Sequence, residues 1–79
     1  MQVELYGVLR EAAGQSRVEI GLSGPVRVAE VLEALTESVP AIAPHLPRVA
    51  CAVGDEMVGR DDELAGDRPL VLLPPVSGG

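Results

Sequence analysis

Residues 2 to 8 alternate, with Val3 and Leu5 set against Glu4 and Tyr6, the period of a strand buried on one face. On this pattern Tyr6 faces away from the core. Leu9-Arg10-Glu11-Ala12-Ala13 is a run of good helix formers stopped by Gly14, which predicts a single helical turn ending on a glycine cap. Alternation resumes from Arg17 to Leu22, with Val18, Ile20 and Leu22 on one side, and predicts a second strand antiparallel to the first. Ser23-Gly24-Pro25 is turn chemistry.

The main helix follows, because Val28, Val31, Leu32, Leu35 and Val39 recur at helical spacing while Glu30, Glu33 and Glu37 face elsewhere as a solvated surface. Pro40 ends it. Arg27 stands at the N-cap position, where Ser or Thr would supply a side-chain acceptor, so the first turn lacks one. Ala41 to Arg48 holds Pro44 and Pro47 around His45 and predicts a loop or broken turn. His45 has no partner set for a metal site. Val49 to Val53 predicts a strand with Cys51 on the same side as Val49 and Val53, a small buried hydrophobe rather than a persulfide-bearing nucleophile. Gly54-Asp55 turns into Met57-Val58, Asp61-Asp62-Glu63 forms a solvated polar break, and Gly66-Asp67 turns again after Leu64. Arg68 to Leu73 is apolar at both parities and so predicts a strand central in the sheet.

Helix and sheet make two layers. With the first and last strands parallel in the middle, the first two forming a hairpin edge and the helix crossing one face, the expected fold is α+β: a ubiquitin-like β-grasp, a mixed sheet packed on one main helix. The 79 residues make one small domain, read as 1–73, with an extended reactive tail over 74–79. Tyr6 is the only aromatic residue, so the core is aliphatic. The lone Cys51 forbids an internal disulfide, and there is no charged n-region followed by an apolar h-region, which points to the cytoplasm. No apolar run approaches the roughly 20 residues of a membrane span. The net charge is −6 and the six basic residues are all arginine, scattered along the chain. That distribution lacks the basic stripe and aromatic platform of a nucleic-acid binder. Lysine is absent, so the chain offers no side-chain amine to another copy's activated terminus.

The candidate chemistry lies in Pro74-Pro75-Val76-Ser77-Gly78-Gly79, which runs on from the strand Leu70-Val71-Leu72-Leu73 without a spacer. The prolines lack N–H groups and hold φ near −65°, ending the strand and launching an extended arm. Gly78 and Gly79, without Cβ atoms, can enter a channel too narrow for other residues. Six extended residues reach about 20 Å. The Gly79 carboxylate is the candidate reactive group. Tyr6, Met57 and Leu73 are the apolar residues expected on the open face of the sheet near the root of this tail, as a partner surface.

Four segments occur together in one family's order and spacing: Leu9-Arg10-Glu11-Ala12-Ala13-Gly14, Val28-Ala29-Glu30-Val31-Leu32, Leu64-Ala65-Gly66-Asp67 and Leu73-Pro74-Pro75-Val76-Ser77-Gly78-Gly79. The chain resembles the small, sulfur-carrying subunit of molybdopterin synthase over essentially its whole length. It departs from that family in lacking a Ser/Thr helix cap, in Gly54 where asparagine is usual, and in Leu73 where an aromatic is common. The resemblance implies that a ubiquitin-activating-like adenylyltransferase uses ATP to form an acyl-adenylate at Gly79. A sulfur donor then converts this to a thiocarboxylate. Within a heterotetramer, the large synthase subunit would receive the tail and pass its sulfur to cyclic pyranopterin monophosphate. On this reading the chain binds no cofactor or metal and does no catalysis alone. Three alternatives stay open at this stage: a thiamine-pathway sulfur carrier, a ubiquitin-like modifier or carrier for another thiolation pathway, and an interaction module with a passive tail.

Overall fold

The computed structural model describes residues 1–74. Its elements run β1 (Gln2–Leu5), α1 (Val8–Ala13), β2 (Arg17–Glu19), β3 (Val26–Arg27), α2 (Val28–Ser38), a 3-10 helix (Pro40–Arg48), β4 (Ala50–Val53), β5 (Glu56–Val58), β6 (Glu63–Leu64) and β7 (Leu70–Leu73). Five strands form one mixed sheet in the order β2-β1-β7-β4-β5, and β3 pairs with β6 in a separate ribbon. β1 and β7 are parallel neighbours in the interior of the sheet, while β1 with β2, β4 with β5 and β4 with β7 are antiparallel. This is the β-grasp arrangement that the strand order predicts.

The core is aliphatic and lies between the sheet and α2. Val3, Leu5, Val18, Leu70, Leu72 and Cys51 enter it from the sheet, and Val28, Val31, Leu32 and Leu35 from the helix. Each such side chain contributes about 1.5–3 kcal/mol by leaving water. Among the described residues no polar or charged side chain is buried.

Several segments differ from the sequence reading. The first strand stops at Leu5, because Gly7 turns at φ 57° and ψ −132° and starts α1 at Val8. The second strand ends at Glu19, although Ile20 still donates a backbone hydrogen bond to the Met1 carbonyl at 2.8 Å and stays in the core. The segment read as a loop is a 3-10 helix, Pro40–Arg48, that buries Ile42 and Leu46. Proline's fixed φ suits 3-10 geometry, and three prolines remove only their own N–H groups, leaving others to bond. Ile42 N–H donates to the Val39 carbonyl and Val49 N–H to the Leu46 carbonyl, each at 3.2 Å.

The start of α2 solves the problem posed by Arg27 through distant backbone. Val28 N–H donates to the Asp62 carbonyl and Ala29 N–H to the Arg60 carbonyl, both at 3.0 Å. Glu30, expected only to face solvent, also accepts the Arg27 N–H at 3.0 Å, which is half of a capping box. The polar break after β5 is therefore a cap: Asp62 shapes it by accepting the Gly59 N–H on Oδ2 at 2.7 Å. The following Glu63 and Leu64 are β6 and pair with β3, so this segment is not simply a solvated turn.

Candidate functional site: the open sheet face and the tail root

The strand registers define which side chains share the face turned away from α2. Glu4 pairs with Arg17 on one side and Val71 on the other. Val71 pairs with Ala52, and Ala52 with Met57. One row therefore crosses all five strands as Arg17, Glu4, Val71, Ala52 and Met57, charged at the β2 edge and apolar from β7 to β5. In the next row Leu73 pairs with Ala50. Tyr6 belongs to this face by parity with Glu4, and its hydroxyl donates to the Glu4 carboxylate at 3.2 Å.

Met57 is 64% exposed and Tyr6 46%, while Leu73 is half-buried. All three predicted residues thus share one face. The face also includes Val71, Ala50 and Ala52. Ala52 is 7% exposed despite lying on the open side, because its neighbours Val71 and Met57 flank it. The signal for these was the apolar run at both parities of the last strand and the short side chains of Ala50 and Ala52, which leave the face flat.

β7 delivers the chain to this face from the middle of the sheet, and Pro74 follows directly after Leu73. Pro74 lines a depression with Val8, Pro44, His45, Pro47 and Arg48. Among the described residues His45 and Arg48 are the ionisable side chains in its wall. Pro75, Val76, Ser77, Gly78 and Gly79, which hold the candidate reactive group, lie outside the described residues.

Cys51 faces the core opposite Val58 and Leu72 and is 3% exposed. Burial pushes its thiol up from the ordinary cysteine value, partly opposed by the Arg60 guanidinium. A buried, protonated thiol is a poor nucleophile. Among the described residues no group of three or more His, Cys, Asp or Glu side chains could hold a metal ion. Another depression, beside β5 and β6, is lined by Glu56, Glu63, Asp67 and Arg68 together with apolar groups. Three carboxylates against one guanidinium make its wall acidic. No helix among the described residues is long and apolar enough to cross a membrane.

Comparison with solved structures places the chain among small ubiquitin-like proteins. It is similar to SAMP1 from Haloferax volcanii, with 28% identity, a TM-score of 0.85 and coverage of 100% of this chain and 98% of that one. A putative molybdopterin converting factor subunit 1 from Pyrococcus furiosus shares the fold, with 24% identity, a TM-score of 0.79 and 95% of each chain covered. So does a chain in the Amycolatopsis orientalis BexX/CysO complex, with 24% identity, a TM-score of 0.77 and 99% of this chain and 98% of that one covered. No curated protein sequence matches significantly. A profile of the ThiS family, however, matches residues 3–79, the β-grasp domain and the Gly-Gly end alike. The chain therefore belongs to the ThiS family of ubiquitin-like sulfur carriers.

Proposed function

We propose that the chain is the sulfur-carrying small subunit of a molybdopterin synthase and that its reactive atom group is the carboxylate of Gly79. The observation that carries this reading is the run Leu73-Pro74-Pro75-Val76-Ser77-Gly78-Gly79, issuing from the central strand beside an open apolar face. A carboxylate is a poor acyl donor and must first be activated. An ATP-using, ubiquitin-activating-like adenylyltransferase supplies this step: a Gly79 oxygen attacks the α-phosphate, pyrophosphate leaves, and an acyl-adenylate forms. A donor of sulfide-level sulfur then attacks the acyl carbon through sulfur, AMP leaves, and a thiocarboxylate remains at Gly79. Its sulfur is a soft nucleophile, ionised near neutral pH. Bound in the pocket of the large synthase subunit, the thiocarboxylate sulfur bonds to cyclic pyranopterin monophosphate, and water then cleaves the acyl–sulfur bond, leaving sulfur on the acceptor and a carboxylate on Gly79. The small subunit is co-substrate as much as enzyme, binds no cofactor itself and works in the cytoplasm.

Two further features support the division of labour. The depression beside β5 and β6 is acidic, which suits ATP being held by the partner. Cys51 is buried and its thiol is pushed up, which disfavours it as the sulfur-bearing position and supports the terminus. The test is intact-mass measurement after incubation with the activating enzyme, ATP and a sulfur donor. One sulfur-for-oxygen replacement is expected on the peptide ending at Gly79, and neither deletion of Gly79 nor addition of a residue after it should permit the gain. Sulfur on Cys51 would overturn the reading.

The likeness to SAMP1, a small archaeal modifier protein, supports a second reading, in which the same activated terminus modifies other proteins. The two differ in product. A modifier leaves Gly79 joined to a lysine of another protein, whereas a carrier returns to a free carboxylate after each transfer. Incubation with lysine-bearing extract proteins and the activating system, followed by peptide mapping, separates them.

A further inference from the structure

The parallel register pairs Leu5 with Leu72, and two residues further along each strand lie Gly7 and Pro74. Pro74 is thereby brought against Gly7. A Cβ built on Gly7 would lie 2.8 Å from Pro74 Cγ, 3.6 Å from Cδ and 3.8 Å from its Cβ. Carbon atoms pack best at about 3.5–4.0 Å, so the ring occupies the space that a side chain at position 7 would need. Gly7 also has φ 57° and ψ −132°, the geometry of the first central position of a type II′ turn, which L side chains avoid. That turn is not idle: Gly7 and Tyr6 carbonyls accept the Glu11 and Leu9 N–H groups at 3.2 Å and start α1. The other walls around Pro74 are Val8, Pro44, His45, Pro47 and Arg48, from α1 and the 3-10 helix.

We propose that Gly7 is a positioning residue for the C-terminal tail: its bare Cα is the seat on which the Pro74 ring rests, and this seat sets the direction in which the tail leaves the sheet. The inference rests on the reading of the tail as the reactive arm. Its reach explains why direction matters. Five residues beyond Pro74, when extended inside a partner, span about 17 Å. A tilt of roughly 15° at the root then moves the tip by about 4 Å, where misplacement of about 1 Å can already lower a rate about 100-fold. A rigid domain docked by its sheet face presents Gly79 to the activating site only if the root angle is held.

The experiment combines a double-mutant cycle with a measurement that needs no reaction. In the wild-type chain, NMR cross-peaks are expected between the Gly7 Hα atoms and the Pro74 ring protons, and Gly7→Ala should abolish them. Their absence from the wild type overturns the inference, whatever the protein carries. In the activation assay, with folding of each variant checked by circular dichroism, Gly7→Ala should lower kcat/KM about 100-fold. Pro74→Gly removes the ring, so Gly7→Ala should add no further loss in that background, while the backbone strain of alanine at positive φ should lower Tm in both. Losses that multiply across the two substitutions would mean that Gly7 acts only on the fold, and would overturn the inference. A wild type that shows the cross-peaks but never gains sulfur refutes the carrier reading and leaves the seat established.

Discussion

The Arg60 guanidinium donates a hydrogen bond to the backbone carbonyl of Leu46, so one side chain ties the loop after β5 to the 3-10 helix. The same residue's carbonyl accepts the Ala29 N–H at 3.0 Å and thus also caps α2. Arg60→Ala leaves the backbone cap in place and reduces the Leu46 carbonyl to its bond from the Val49 N–H. Because the arginine is largely exposed, the loss should be modest, about 1 kcal/mol, read as a lower urea midpoint with unchanged m-value. Arg60→Lys should recover only part of it, since an ammonium lacks the planar fork. No change in midpoint for Arg60→Ala would mean that the bond is not maintained in solution.

Cys51 gives a pH-dependent prediction with a definite sign. Burial raises its folded-state pKa above the ordinary cysteine value, with Arg60 opposing in part. The folded protein therefore holds the thiol proton more tightly than the unfolded chain does. Stability is unaffected by this group below the unfolded pKa and falls as pH rises through and beyond it. The urea midpoint of the wild type should drop more between pH 8 and pH 10 than that of Cys51→Ala, the difference being the thiol's share. Alkylation of Cys51 at neutral pH should be slow in buffer and fast in denaturant. Equal slopes for both proteins would show that the thiol is not held protonated by the fold.

Two glycines separate conformational from steric demand. Gly14 has φ 75° with nothing within 4 Å of a built Cβ, so Gly14→Ala carries only the left-handed strain, about 1 kcal/mol. Gly24 is the reverse: its φ is not in the left-handed region, but a Cβ would run into the Ala65 carbonyl and lie 2.9 Å from the Gly66 nitrogen. Rigid backbone cannot give way as a side-chain end can, so Gly24→Ala should exceed Gly14→Ala and reach about 3 kcal/mol. Thermal denaturation of the two variants decides the order, and the reverse order would refute the close approach.

Much of this fold is legible from side-chain period. Val3 and Leu5 place β1, Leu70 to Leu73 announces an interior strand, and the stripe from Val28 to Leu35 marks α2. What escapes is what depends on residues far away in sequence. Arg27 offers no local acceptor, and nothing near it reveals that carbonyls of Arg60 and Asp62 satisfy the first turn of α2. Pro40, Pro44 and Pro47 read as breakers, yet the 3-10 helix accommodates them because Ile42 and Leu46 reach the core from one side. On the open face, Tyr6, Met57 and Leu73 follow from parity, whereas Ala50 and Ala52 become part of it only through pairing with β7 and β5. The seat of Pro74 on Gly7 is of the same kind: each residue suggests a turn alone, and only the parallel register brings them together.

That register also yields the sharpest test of the open face. Leu72 and Leu73 are adjacent in β7 but face opposite ways, Leu72 fully buried against the core and Leu73 half-buried on the open side. Leu72→Asp places an unpaired carboxylate in an aliphatic core and should unfold the domain. Leu73→Asp leaves its carboxylate in reach of water, so Tm should change little. If Leu73, Val71, Ala52 and Met57 form the contact with the large subunit, Leu73→Asp should still weaken binding at least tenfold, because an apolar contact is replaced by a charge that must be desolvated. Met57→Asp at the far end of the row should act in the same direction, more weakly if the contact is centred on the tail root. Deleting Gly79 should keep most of the affinity while removing sulfur loading. Calorimetric titration of the large subunit with these four chains sorts the cases, and unchanged affinity for folded Leu73→Asp would put the partner on another surface.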